Sequence, residues 1–210
     1  MDNPVIIFGA GGLGKTALEI FQANNVIVYC FLDDDKRLHG QDIGDISILG
    51  STDDHGYTKF IGKKCDSFVA LDEIELRKGI IKMLNERRKV MPINALHPRA
   101  SISGHAYISY GLLANAGVVI GSFAKVGVGC ILNANAVVDY EATLGDYVYL
   151  GSGAVVSPGA EVEDDVFIGT RATIAGPVKI GKGARIGAGS VVIEDVEVGA
   201  TVFGNPAKPI

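Results

Sequence analysis

From Leu96 onward the chain repeats every six residues, and no other feature narrows its fold as much. Positions 96, 102, 108, 120, 126, 132, 138, 144, 150, 156, 162, 168, 174, 180, 186, 192 and 198 carry Leu, Ile or Val, and position 114 in the same register carries Ala. Four residues further on sits a smaller residue, as at Ala100, Ala106, Ala124, Ala136, Ala154, Ala172 and Ala184. Glycine directly follows the aliphatic residue at Gly121, Gly127, Gly145, Gly151, Gly169, Gly181, Gly187 and Gly199. A unit this short buries its apolar side chain only by stacking on copies of itself, which predicts a parallel β-helix. The aliphatic residue points inward from a flat face, the small residue sits near a corner, and glycine permits the tight turn. Three hexads close one triangular coil, so residues i and i+18 stack. Asn115 then lies over Asn133 as an amide ladder, and Asp164 over Lys182. Six coils over residues 96–203 give a prism roughly 29 Å tall at about 4.8 Å per coil. An ordinary β-sandwich would show period two and irregular turns.

Residues 1–95 follow a different grammar, that of a small α/β domain. Val5–Phe8 reads as a short buried strand, and a glycine turn leads into a helix through Ala17, Leu18, Ile20 and Phe21. Val26–Leu32 reads as a second strand and Ser67–Leu71 as a third. Leu76, Ile80, Met83 and Leu84 follow the i, i+4, i+7, i+8 spacing of one apolar helix face. Strands alternating with helices predict a parallel, Rossmann-like sheet. The expected domains are thus 1–95, α/β, and 96–210, an all-β helix with a C-terminal tail.

Composition excludes several classes. A net charge of −5 over 210 residues leaves no electrostatic footprint for nucleic acid. The one basic cluster, Arg87, Arg88 and Lys89, closes a predicted helix, where it complements the helix dipole. Cys30, Cys65 and Cys130 are scattered and odd in number, as expected for buried thiols in a reducing compartment rather than a disulfide frame or a metal site. The N-terminus shows no basic segment followed by an apolar one, and no apolar run is long enough to span a bilayer. A soluble cytoplasmic protein with no membrane insertion and no bound metal is expected.

The stretch Gly9 to Thr16, GAGGLGKT, fits two patterns. It matches G-x-x-x-x-G-K-[ST], the phosphate loop of nucleotide hydrolases, and also G-x-G-G-x-G, the turn of a nucleotide-binding βαβ unit. Both set backbone N–H groups and a helix N-terminus against phosphate. Fewer than a hundred residues precede the repeat, a short stretch for a phosphate-loop hydrolase. Asp33 follows the loop by about 20 residues, the offset at which a carboxylate reaches a ribose or sugar hydroxyl. NAD binding stays open on these residues, although nothing else points to hydride chemistry.

The hexads resemble those of the left-handed β-helix, hexapeptide-repeat acyltransferases, and the left-handed sense comes from that resemblance. The glycine-loop domain, the L-H-P-x-A segment at Leu96–Ala100 and the G-N-P-A-K ending at Gly204–Lys208 resemble one branch in particular. It contains the sialic-acid O-acetyltransferases and the N-acetyltransferases of UDP-4-amino-sugars of the bacillosamine type. The resemblance implies an acetyl-CoA-dependent N-acetyltransferase in surface glycan biosynthesis, working as a homotrimer with acetyl-CoA between neighbouring β-helices. By the same resemblance Gly9, Gly11, Gly12, Leu13, Asp33 and Asp34 hold a UDP-linked amino sugar, and Tyr149, Thr170 and Ala188 match positions that contact acetyl-CoA. Asp72 stands where the family usually has glycine, and a carboxylate there narrows the pocket or selects a cationic amine.

At the catalytic position the chain departs from the branch. The branch reads roughly D-H-[DE], with a second histidine nine residues on; here the segments are Asp139-Tyr140-Glu141 and Tyr147-Val148-Tyr149. Tyr140 and Tyr149 replace the two histidines while Glu141 is kept, and His39, His55 and His105 fall outside the motif. A tyrosine with a pKa near 10 is about one part in a thousand phenolate at pH 7, a poor general base. Base catalysis is worth about 10²–10⁴-fold, whereas positioning supplies roughly 7–11 kcal/mol. A partly neutral amine can therefore react where a hydroxyl does not. Two other classes stay open: a homologue that binds nucleotide sugar without turnover, and a sugar O-acetyltransferase, which most needs the missing base.

Overall fold

The computed structural model describes residues 3–210. The chain divides into two compact units, Met1–Pro98 and Arg99–Ile210.

In the first unit β1 (Val5–Phe8), β2 (Val28–Leu32), β3 (Asp42–Ile43), β4 (Ile46–Gly50) and β5 (Asp66–Val69) form one sheet in the order β3-β4-β2-β1-β5. All neighbours are parallel except β3 against β4. The helices are α1 (Gly12–Ala23), α2 (His55–Thr58) and α3 (Ile74–Met83). β1 has no exposed residue, as befits the inner strand of a parallel sheet. The second strand starts at Val28 rather than Val26, because Asn25 turns the chain at φ 58° and Ile27 remains 70% exposed.

Two features of this unit depart from the sequence expectation. The β3–β4 hairpin was not foreseen; Ile43 pairs with Ile46 across the two-residue loop Gly44-Asp45, with Gly44 at φ 63°. Gly-Asp between alternating apolar residues is the signal that marks it. The core-facing edge of α3 is Arg77 and Ile81, continued by Leu84 just after it, whereas Leu76 is half-exposed and Ile80 and Met83 are only partly covered. The apolar stripe was right in period but turned about one residue from the core, because Arg77 takes a core position.

The second unit is a parallel β-helix. Two-residue strands recur every six residues from Ser101–Ile102 to Val191–Val192. They wind through three sheets, whose first strands within this unit are Ser101–Ile102, Tyr107–Ile108 and Leu113–Ala114, here called the first, second and third faces. Each strand pairs with those 18 residues away, as in Val119 with Val137, Lys125 with Thr143 and Ile131 with Tyr149. The aliphatic positions from Ile120 to Ile186 are buried, and each such side chain contributes about 1.5–3 kcal/mol.

Three details correct the expected register. First, the repeat slips by two residues near its end. Val196, not Val198, stacks on Ile180, and Arg185–Ile186 pair with Thr201–Val202. Val196 is 8% exposed and Val198 is 70% exposed. Asp195 accepts a hydrogen bond from the Lys179 N–H at 2.7 Å and fastens the shortened corner. Second, positive φ falls on the third residue after the aliphatic one, not the first. That position is glycine in many hexads but is Phe123, Asn135, Glu141, Tyr147, Asp165 and Arg171 in others. The glycine directly after the aliphatic residue is needed for close approach between coils: a Cβ on Gly151 would lie 2.5 Å from the Thr170 nitrogen. Third, Asn115 and Asn133 stack without an amide–amide bond. Asn115 Oδ1 accepts from the Ala116 N–H at 2.6 Å, and Asn133 Nδ2 donates to the Leu150 carbonyl at 3.0 Å. Lys182 does pair with Asp164, at 3.4 Å.

Candidate functional site

In the first unit the chain leaves β1 to one side through α1 and β2, and β5 pairs on the other. The reversal point lies at the carboxyl ends of β1 and β5, where open α/β sheets bind ligands. The turn between β1 and α1 holds only Gly9, Ala10 and Gly11, and Gly14 and Lys15 already lie within the helix. No extended phosphate loop is formed, and Thr16 Oγ1 donates back to the Gly12 carbonyl at 3.1 Å. The glycines divide by cause. Gly9, at φ 99°, leaves no room for a Cβ against the Ala70 carbonyl, and Gly14 packs on the Gly9 carbonyl. Gly11 and Gly12 are exposed with open space in front of them, beside helix N–H groups that have no intrahelical acceptor. Leu13 is buried, so it offers only its backbone outward.

The acidic pair does structural work that its spacing did not reveal. Asp33 Oδ2 accepts from the Ala10 N–H at 2.8 Å and Oδ1 from the Asp35 N–H at 2.9 Å, tying the end of β2 to the glycine turn. Asp34 Oδ1 accepts from the Thr52 N–H at 2.8 Å and from Thr52 Oγ1 at 3.0 Å. A carboxylate has about four acceptor sites, so capacity for a ligand remains. Asp33 and Asp34 border a cavity of about 230 Å³ whose other walls include Leu71, Leu76, Gly79 and Ile80. The half-exposed side of α3 therefore faces this cavity. Arg77, 1% exposed, donates to the Leu71 and Asp72 carbonyls and so fixes the loop after β5. The Asp72 side chain is exposed and does not line the cavity. A larger cavity of about 630 Å³ touches Asn3 and Asp66, at the amino ends of β1 and β5, away from the reversal point.

In the second unit Tyr140 and Glu141 stand at the corner between the first and second faces. Both are exposed, and Glu141 holds the left-handed conformation at φ 59°. The Asp139 carboxylate accepts from the Tyr140 N–H at 2.7 Å. Gly121 admits the Tyr140 backbone, since a Cβ there would lie 2.5 Å from the Tyr140 nitrogen. Tyr149 lies on the third face, stacked on Phe167 at 5.0 Å, and Arg185 sits over Phe167 at 4.7 Å. Thr170 and Ala188 are exposed one above the other at the corner where the third face meets the first. In a three-sided prism the Tyr140 corner is opposite the third face. One β-helix therefore does not bring Tyr140 together with Tyr149, Thr170 and Ala188.

His105, outside the motif, stands on the same corner as Tyr140 and Glu141. His105 stacks on Phe123 at 5.3 Å, and residues 105, 123 and 141 share one column at successive 18-residue steps. The spacing of 36 residues to Glu141, two full coils, was the available signal. It sets the imidazole about 9–10 Å along the corner from Glu141.

A family model described as the PglD N-terminal domain matches residues 4–84, and one described as bacterial transferase hexapeptide (six repeats) matches residues 159–194. The acetyltransferase domain of PglB from Neisseria gonorrhoeae, solved in complex with acetyl coenzyme A, superposes with a TM-score of 0.89 at 28% identity, covering 100% of both chains. The chain thus carries a PglD N-terminal domain and bacterial transferase hexapeptide repeats, and is similar over its whole length to this acetyltransferase. Its second unit is accordingly a left-handed parallel β-helix. Two other solved structures are similar over nearly their full length. PerB from Caulobacter crescentus, in complex with CoA and GDP-perosamine, has a TM-score of 0.87 at 28% identity, covering 99% of this chain and 97% of that one. WeeI from Acinetobacter baumannii has a TM-score of 0.85 at 28% identity, covering 99% of each. A search of curated protein sequences finds no match. No helix among the described residues is long and apolar enough to cross a membrane.

Proposed function

We propose that the chain is an acetyl-CoA-dependent N-acetyltransferase of a UDP-linked amino sugar, acting as a homotrimer in surface glycan biosynthesis. The observation that carries the reading is the likeness of the whole chain, both units in order, to PglB bound to acetyl coenzyme A and to PerB bound to CoA and GDP-perosamine. In this reading Gly11, Gly12 and the backbone of Leu13 meet the nucleotide sugar. Gly9 and Asp33 hold the shape of that turn, Asp33 and Asp34 present acceptors to the ligand, and Asp72 acts on the amine from the rim. Tyr149, Thr170 and Ala188 hold acetyl-CoA.

The reaction begins with the neutral amine lone pair attacking the thioester carbonyl carbon. The carbonyl oxygen takes up negative charge, stabilised by the Tyr149 hydroxyl. The C–S bond then breaks, CoA leaves as a thiolate, and the proton shed by the amine passes through water or Glu141 to the sulfur. Tyr140 positions the acceptor rather than taking its proton. Tyr140 and Tyr149 on opposite sides of one prism support a site shared between copies, with the corner of one against the third face of the next. Three buried cysteines outside any disulfide suit a reducing cytoplasm.

A second reading, a nucleotide-sugar-binding homologue without turnover, is favoured by Tyr140 and Tyr149 at the family's histidine positions. It is compatible with two variants of the Caulobacter enzyme, each with one histidine replaced, that were solved in complex with CoA and GDP-perosamine, so turnover and not binding separates the two readings. Calorimetric titration with acetyl-CoA, followed by thiol release over a panel of UDP-, GDP- and dTDP-amino sugars, tests the proposal. Binding with amine-dependent thiol release is expected. Binding of nucleotide sugar without release supports the second reading, and no acetyl-CoA binding overturns the first.

A further inference from the structure

Gly79 occupies the interior of α3, where glycine ranks below every residue except proline. A helix keeps glycine for a positive φ, for close packing, or because something approaches its backbone. Gly79 is not among the residues at positive φ, and a Cβ placed there meets nothing within 4 Å. The protein itself gives no reason for it. The space in front of it is the cavity bounded by Asp33, Asp34, Thr52, Leu71, Glu75, Leu76 and Ile80. Leu76, which lines it, is 51% exposed. At about 230 Å³ the cavity falls below the range of about 300–1,000 Å³ typical of whole-ligand sites, so it suits one ring system. Its chemistry is that of a base pocket: Leu71, Leu76 and Ile80 offer aliphatic walls for a flat ring, and the carboxylates of Asp33, Asp34 and Glu75 offer acceptors for ring N–H groups.

We propose that Gly79 determines nucleotide recognition. Its missing side chain lets the nucleobase of the nucleotide sugar lie flat against the α3 backbone between Leu71, Leu76 and Ile80, with its polar edge toward Asp33 and Asp34. This rests on the nucleotide-sugar reading above and names the part of the ligand that the cavity takes.

The test is Gly79→Ala in the full chain, by thermal melting and by calorimetric titration with UDP and with GDP. An added methyl fills empty space in the free protein but occupies the position of the ring. The melting temperature is expected to rise by about 2–4 °C, while the Kd of the nucleotide bound by wild type rises about 10-fold or more. Gly79→Leu is expected to abolish nucleotide binding and leave acetyl-CoA binding unchanged. A higher melting temperature with the nucleotide Kd unchanged overturns the assignment of Gly79 and leaves the nucleotide-sugar reading standing. Failure of wild type to bind either nucleotide removes both.

Discussion

Asp33 offers the most quantitative test of how the first unit holds its ligand loop. Its carboxylate accepts the Ala10 N–H at 2.8 Å and the Asp35 N–H at 2.9 Å. Ala10 is 5% exposed, so water does not readily replace the lost acceptor. Hydrogen bonds to a charged group are worth about 1.5–3 kcal/mol, and a buried unpaired N–H costs about 1–3 kcal/mol. Asp33→Ala removes both bonds, for a total of about 2–3 kcal/mol after rehydration of the partly exposed Asp35 side. For a unit of this size that lowers its melting temperature by about 10–20 °C. Because the same bond fixes the glycine turn, the KM for nucleotide sugar is expected to rise about 10-fold or more, with the KM for acetyl-CoA unchanged. Asp33→Asn retains one acceptor and is expected to fall between. Differential scanning calorimetry with steady-state kinetics reads both effects. Unchanged melting with a raised KM would mean that Asp33 acts only on the ligand. Lowered melting with an unchanged KM would mean that the turn does not shape the site.

Other expectations follow from the β-helix and the core. Tyr140→Phe is expected to cost little turnover, whereas Tyr140→His, restoring an imidazole beside Glu141, raises kcat about 10-fold or more; loss of all activity in Tyr140→Phe would assign the hydroxyl a chemical role. Val196→Ala is expected to destabilise the second unit by about 1–3 kcal/mol and Val198→Ala by under about 0.5 kcal/mol; equal effects in denaturant titration would refute the two-residue slip. Burial pushes the Cys30 thiol up to about 12, so at pH 8 only about one part in 10⁴ is thiolate, against roughly a quarter for a free thiol near 8.5. Iodoacetamide is then expected to spare Cys30 in the native protein, with labelling rising as pH climbs toward 12; rapid native labelling at pH 8 would contradict its burial.

The β-helix was legible because its repeat encodes its register: every aliphatic position from Ile120 to Val192 is buried. The slip at Val196 was not, since Val196 and Val198 are equally good candidates in sequence and only the shortened corner at Asp195 decides between them. The positive-φ position was hidden because Glu141, Phe123 and Arg171 occupy it where glycine would have revealed it. In the first unit the period of α3 was legible but its phase was not. Arg77 reads as a surface residue until the Leu71 and Asp72 carbonyls are seen to accept from it. Asp33 and Asp34 were legible as a pair at a strand end. Their bonds to Ala10, Asp35 and Thr52 join separate stretches of chain and leave no local signature.

The central claim, that positioning replaces the missing imidazole and restricts the chemistry to amines, is tested most directly by a matched pair of acceptors. Wild-type protein with acetyl-CoA is given a UDP-4-amino sugar and its 4-hydroxy counterpart, and product is identified by mass spectrometry alongside thiol release. The account predicts one acetyl group transferred to the amino sugar and none to the hydroxy sugar. Comparable acetylation of the hydroxyl would show that a competent base is present and contradict it.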